Sequence, residues 1–180
     1  MLSDQALIIQ FKQSSDKEGA FTQLLKRHQQ KVYYQIKRMV NEHADADDIA
    51  QQVWMKVWNK LDGFKMESEF STWVFRIAYN ETVNFIQKEK KLGQHYTSNE
   101  SADYENAAHS QDGPASSQIE IALEQAIQQL PEKQRFVFML RYFEELNYAK
   151  IASITGTSVG GAKANFHQAI KKMEEILKHN

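Results

Sequence analysis

The chain has 180 residues, 42% of them hydrophobic, with 22 Lys plus Arg against 23 Asp plus Glu, enough apolar residues for one or two small cores beneath a near-neutral surface. It has no cysteine, which excludes disulfides, thiolate metal sites and a cysteine nucleophile, and only seven Gly and two Pro, which with long amphipathic runs predicts an all-helical fold. No basic stretch leads into an apolar core at the N-terminus and no apolar run approaches the roughly 18 residues of a membrane span, so a soluble cytoplasmic protein is expected.

A first helix is expected from about Ser3 to Gln13, with Leu7, Ile8 and Phe11 on one side. Ser15-Asp16-Lys17-Glu18 has capping-box spacing and introduces a long helix whose stripe is Phe21, Leu24, Leu25, His28, Val32, Ile36, Met39 and Val40. His28 on that stripe reads as a packed, hydrogen-bonded core histidine, and the six histidines show no metal-ligand spacing. From Asp45 the run DADDIAQQVWMKVWNKLDGF places Ala46, Ile49, Ala50, Val53, Val57 and Leu61 on a buried side and Asp48, Gln51, Gln52 and Met55 on the far side. A methionine in a polar stripe is adaptable apolar surface suited to a partner.

Asp62 and Gly63 end that helix, and the next, from about Ser71 to Lys91, gathers Phe70, Trp73, Phe75, Tyr79 and Phe85 beside Arg76, Lys88, Lys90 and Lys91. Aromatics among cations suit single-stranded nucleic acid, because bases stack on rings while cations follow phosphates. Aromatics at helical spacing are also ordinary core, the reading preferred for Val74 and Phe85. Residues 92–117 lose helical periodicity and all Lys and Arg while keeping four acidic residues, the pattern of a flexible acidic linker. The division expected is residues 1–91, the linker 92–117, and a second helical domain 118–180.

In that second domain Ile119, Leu123, Ala126, Ile127 and Leu130 resume the periodicity, Pro131 opens a helix carrying Phe136, Val137, Leu140 and Phe143, and the chain closes on Tyr148–Asn180. There Ile151, Ala152 and Ile154 precede Gly156, which tolerates positive φ, and Ser158, a good N-cap: the grammar of a helix-turn-helix. The last helix has an apolar stripe of Ala162, Phe166, Ala169, Ile170, Met173 and Leu177. Its opposite face of Gly160, Gly161, Ala164, His167, Gln168, Lys171 and Lys172 suits a DNA major groove. Neither half is clearly basic, at 14 Lys plus Arg against 12 Asp plus Glu before the linker and 8 against 7 after it, so DNA binding is expected to need a partner.

Three segments together resemble one family. Ala46-Asp47-Asp48-Ile49-Ala50-Gln51-Gln52 is similar to the core-binding motif of extracytoplasmic-function (ECF) sigma factors. Phe70-Ser71-Thr72-Trp73 with Arg76-Ile77-Ala78 and Asn80 resembles their promoter-melting segment, and Leu130-Pro131 with Arg135, Val137-Phe138 and Leu140-Arg141 resembles the opening of their region 4. The resemblance implies a region 2 domain and a region 4 domain that direct core RNA polymerase to promoters. It implies that Asp48, Gln51, Gln52 and Met55 meet the polymerase, that Lys56, Lys60, Phe64, Trp73, Ile77 and Asn80 surround the melted minus-10 element, and that Arg141, Ser158, Lys163, Ala164, His167 and Gln168, with Lys171 on the same face, meet the minus-35 duplex. It further implies promoter DNA and core polymerase as partners, an anti-sigma factor as a further one, and no catalytic residue, cofactor, metal or small-molecule substrate. The chain departs from the family pattern at Gln52, where an acidic residue is usual, at Asn84, and at Gly161, Ala162, Ala164, Asn165 and Gln168, which make the last helix less basic. The competing reading is a stand-alone helix-turn-helix regulator with a sensing or dimerisation domain. A small helical hydrolase is a third, but adjacent Asp47 and Asp48 do not face one another on a helix.

Overall fold

The structure, a computed structural model, describes residues 2–13, 16–40, 42–93 and 118–179. Among these there are eight helices and no strand: α1 (Asp4–Gln13), α2 (Lys17–Lys37), α3 (His43–Leu61), α4 (Phe70–Lys91), α5 (Gln118–Gln128), α6 (Glu132–Tyr142), α7 (Tyr148–Thr155) and α8 (Val159–His179). All but the first two residues of the expected linker lie outside the described residues.

Several helix starts have a local cause. The Ser3 hydroxyl accepts the Ala6 N–H at 3.2 Å and opens α1. The α2 cap is Asp16, whose carboxylate accepts the Gly19 N–H at 2.9 Å; the expected capping box from Ser15 falls on a residue outside those described. Gly19 belongs to this cap, because a Cβ there would sit 2.3 Å from Asp16 Oδ2. Pro131 takes the N-cap position of α6, just ahead of the first helical residue.

α1 to α4 enclose one core. Leu7, Ile8 and Phe11 of α1, Leu24, Val32 and Ile36 of α2, Ala46, Ile49, Val53, Val57 and Leu61 of α3, and Val74, Phe75 and Ala78 of α4 are all buried. Edge-to-face contacts of Trp58 with Phe21 at 5.0 Å and Phe11 at 5.1 Å seal one end. His28 is the packed histidine the sequence suggests: its Nε2 lies 2.8 Å from Asp4, which also pairs with Arg27, and its ring meets the edge of Phe70.

α5 to α8 enclose the second core, with Phe136, Phe138, Leu140, Ile151, Ile154, Ala162, Ala169 and Met173 buried. Leu177, expected on the inner stripe of α8, is 42% exposed, and Ile176 packs inward instead. A 3.6-residue turn from Met173 reaches residue 176 or 177, and the inward position here falls on the first.

The two cores run together into one continuous buried cluster. Tyr79 of α4 lies against Phe136 of α6 with ring centroids 4.5 Å apart, and Arg38 sits over Phe143 at 4.0 Å. Ion pairs flank these contacts: Lys31 to Glu144 at 3.0 Å, Lys90 to Glu132 at 3.5 Å, and Lys150 to Glu69 at 2.7 Å. Arg135 ties the seam, donating to the Gln128 carbonyl at 2.5 Å and to the Met39 carbonyl at 3.4 Å.

Candidate nucleic-acid interface

Three surfaces collect the residues singled out above. On α3, Asp48, Gln51, Gln52 and Met55 are all exposed, Met55 by 60%, opposite the buried Ala46, Ile49, Val53 and Val57. Their spacing of three and four residues makes one continuous polar stripe with a single apolar tip. Beside its start, the Tyr33 hydroxyl is 3.0 Å from His43 Nδ1. Burial, and then the Asp47 carboxylate, push that phenol above its ordinary range, so it stays neutral.

The second surface lies where α3 hands over to α4. Phe64 and Trp73 stack with centroids 4.7 Å apart and planes inclined by 30°. The turn carrying Phe64 is held from both sides: Lys12 of α1 donates to the Phe64 carbonyl at 2.6 Å, and Lys17 of α2 pairs with Asp62 at 2.9 Å. Met66 in the same loop has φ of +57°, a left-handed conformation that costs a non-glycine residue of order 1 kcal/mol and marks a shape the neighbours impose. The loop and α4 border a cavity of about 450 Å³ lined by Gly63, Phe64, Lys65, Glu67, Ser68, Thr72, Trp73 and Arg76, with Ser153 of α7 at its edge.

Of the six residues expected here, Lys56, Lys60 and Asn80 are exposed, whereas Phe64, Trp73 and Ile77 are buried at 6%, 9% and 8%. Lys56 is bound to Glu81 at 2.5 Å. Phe64 and Trp73 are thus walls of a cavity, while Lys56, Lys60 and Asn80 stand on exposed surface. Lys12, Lys65 and Ser153 were not singled out in the sequence, and Thr72 and Arg76 stood in the segment that resembles the melting motif without a place among the six. Arg76, one turn from Trp73, was legible as a cation among aromatics; Lys12 and Ser153 come from elements far along the chain, and no local pattern could have marked them.

The third surface is α8. Gly156 takes φ of +66° and ends α7, and the Ser158 hydroxyl accepts the Gly161 N–H at 3.0 Å, so the turn forms as its sequence suggests. Lys163, Ala164, His167, Gln168 and Lys171 are exposed along one side, and Gln168 accepts from the Gln134 amide at 3.1 Å. A Cβ on Gly161 would come 3.2 Å from the Ser158 hydroxyl, so the bare backbone there serves the cap as well as the surface. Arg141 is engaged inside the domain: its guanidinium donates to the Leu146 carbonyl at 3.0 Å and lies 5.2 Å from the Tyr148 ring centre. Among the described residues no group of His, Asp or Glu could hold a metal ion, and no helix is long and apolar enough to cross a membrane.

Comparison with known proteins assigns both halves. Residues 24–92 match the family model for sigma-70 region 2, and residues 120–173 match that for sigma-70 region 4. The ECF RNA polymerase sigma factor SigW of Bacillus subtilis is 30% identical over 89% of this chain and 90% of its own length. The RNA polymerase sigma-H factor of Pseudomonas aeruginosa is 31% identical over 97% and 93%. Among solved structures, the sigma factor RpoE of Bartonella quintana, in complex with the anti-sigma factor NepR, superposes with a TM-score of 0.71 at 27% identity, covering 88% of this chain and 96% of that one. Two domain matches in order, a shared length and a helix-turn-helix built as described lead to one conclusion: the chain belongs to the ECF sigma factors of the sigma-70 family, non-enzymatic proteins that direct transcription initiation by RNA polymerase.

Proposed function

We propose that the three surfaces divide the work of initiation, with residues 1–91 acting as the core-binding and minus-10 domain, 92–117 as a connecting linker and 118–180 as the minus-35 domain. The α3 stripe of Asp48, Gln51, Gln52 and Met55 docks on core RNA polymerase. Lys56, Lys60 and Asn80 guide the non-template strand of the minus-10 element, and a base of that strand enters the cavity beside Phe64 and Trp73. Flipping a base costs a few kcal/mol, and stacking on an aromatic face returns about 1–3 kcal/mol, so a preformed aromatic wall brings strand opening within reach of binding energy. On α8, Lys163 and Lys171 meet phosphates of the minus-35 duplex while His167 and Gln168 approach base edges over the small Gly160, Gly161 and Ala164. Ser158 supports this surface by capping α8, and Arg141 by holding the connection between α6 and α7 at the Leu146 carbonyl. The site of action is the cytoplasm, where core polymerase works, and an anti-sigma factor is a further partner, as NepR is of the related RpoE.

The observation that carries this reading is the cavity walled by Phe64 and Trp73 and held by Lys12, a preformed aromatic recess next to a cationic helix end. It is tested by alanine substitution of each surface in turn with three separate readouts. Asp48→Ala with Gln52→Ala should weaken binding to core at unchanged helical content and thermal midpoint; Phe64→Ala should keep core binding and lose strand opening. A Phe64→Ala holoenzyme that opens promoters normally contradicts the assignment.

A further inference from the structure

We propose that Glu81 sets the strength with which the N-terminal domain holds a DNA strand, by keeping the charge of Lys56 on the protein. This rests on the assignment of Lys56, Lys60 and Asn80 to the strand. Lys56 and Lys60 stand one turn apart on α3 and so share a face, while Asn80 and Glu81 follow one another on α4. The Lys56 ammonium lies 2.5 Å from Glu81 Oε2 and joins the two helices at this point. The partners differ in their access to water: the Lys56 side chain is 46% exposed and that of Glu81 only 12%. Lys60, by contrast, is exposed with no carboxylate in ion-pair reach among the described residues, as are Lys65 and Arg76 beside the cavity.

This uneven burial decides how the pair answers a phosphate. If Lys56 turned to the strand, Glu81 would keep a full charge with little water around it, the costly half of a broken ion pair. Lys56 therefore stays with Glu81, and a strand passing the pair meets a net charge near zero. Lys60, Lys65 and Arg76 supply the usable charge, and Lys56 a polar rest beside it. Phosphate contacts hold every sequence alike. A carboxylate that withholds one of them loosens the grip on all strands equally, and leaves the choice among strands to the cavity of Phe64 and Trp73 and to the exposed Asn80. A purely structural tie between α3 and α4 would give strand affinity no dependence on the charge of Glu81.

The test compares holoenzymes assembled from core polymerase and the full-length chain, binding a fluorescein-labelled, random-sequence 12-nucleotide single strand across a salt titration, with core alone as the baseline. Glu81→Gln keeps the shape of the side chain and frees the charge of Lys56. It should tighten binding about fivefold at about 0.1 M salt and steepen the slope of log affinity against log salt by about 0.7, the contribution of one added phosphate contact on a single strand. An oligo(dT) strand of the same length should show the same gain. Adding Lys56→Met to Glu81→Gln should remove the gain, and the exchange of Lys56→Glu with Glu81→Lys, which rebuilds the pair at the same net charge, should withhold it. Lys60→Met is the reference, with binding about fivefold weaker and a slope shallower by about 0.7. Glu81→Gln that leaves affinity and slope unchanged at an unaltered thermal midpoint overturns the restraint, as does a gain on only one of the two strands. Where Glu81→Gln lowers the thermal midpoint, the exchange decides: binding about fivefold weaker than that of the unaltered chain puts Lys56 itself on a phosphate and overturns the restraint. Binding that neither Lys60→Met nor any change at Lys56 or Glu81 alters overturns the strand assignment and the restraint with it. A response to Lys60→Met without one to Glu81→Gln overturns the restraint alone.

Discussion

Lys12 of α1 reaches across the molecule to the backbone carbonyl of Phe64, 52 residues away, and donates to it at 2.6 Å. The first helix thereby fixes the turn that presents one wall of the cavity. Lys12→Met keeps the apolar stem of the side chain and removes the charge-assisted bond, worth on the order of 1 kcal/mol at a half-buried position. The expected outcome is a roughly fivefold drop in permanganate-reactive, open promoter complexes with unchanged helical content and unchanged core affinity.

The exposed face of α8 carries different roles side by side. Lys163→Ala should weaken promoter binding broadly and reduce the salt dependence of holoenzyme binding by about one counterion, because a phosphate contact carries no sequence information. Gln168→Ala should leave that slope alone and change base preference at one minus-35 position. A titration of binding against salt, repeated on single-base promoter variants, reads both.

Arg141 faces inward to the Leu146 carbonyl and the Tyr148 ring, so its loss should act on folding before it acts on DNA. Arg141→Ala is expected to destabilise the C-terminal domain by about 1–2 kcal/mol, seen as a lower thermal midpoint. Loss of minus-35 binding at full stability would instead mark Arg141 as a direct contact.

Gln35 is 1% exposed, and neither its amide nitrogen nor its oxygen has a hydrogen-bond partner among the described residues. Each unmet group carries a desolvation penalty of about 1–3 kcal/mol, so Gln35→Met, close in volume, should raise stability by an amount in that range. Chemical denaturation of the two proteins, compared at constant m-value, measures it.

Tyr79 links stability to pH. Its phenol is pushed above its ordinary value first by burial and then by the Glu132 carboxylate of α6, which is itself paired with Lys90. Because the folded chain holds the Tyr79 proton more tightly than the unfolded chain, this contribution to stability is fully present below the ordinary tyrosine value of about 10 and is lost as pH rises through the higher folded-state value. The thermal midpoint should therefore fall in alkali, and Tyr79→Phe should shift that fall to higher pH or remove it.

Much of this was legible in the sequence wherever the signal was local. The helix-turn-helix was readable because Gly156 and Ser158 act within their own turn, and the α3 stripe because spacing alone separates Met55 from Val53. Trp73 could be marked as an aromatic near cations and Phe64 only through the family resemblance, but their stacking into a cavity wall depends on Lys12 and on the left-handed backbone at Met66, which no periodicity encodes. Leu177 shows the limit of counting, since a stripe read at spacings of three and four does not choose between residues 176 and 177 at a helix end. The seam between the domains was invisible for a simpler reason: Lys31 and Glu144 stand 113 residues apart, and charged residues on two solvated faces give no sign of their pairing.

The most direct test of the whole account is promoter-specific run-off transcription by purified core RNA polymerase with and without this chain, using fragmented genomic DNA from its host as template. Discrete transcripts that appear only when the chain is added, and that disappear with Phe64→Ala although that variant still binds core, are the predicted result. Core that neither binds the chain nor gains specific initiation, while the free protein binds duplex DNA tightly on its own, would contradict it.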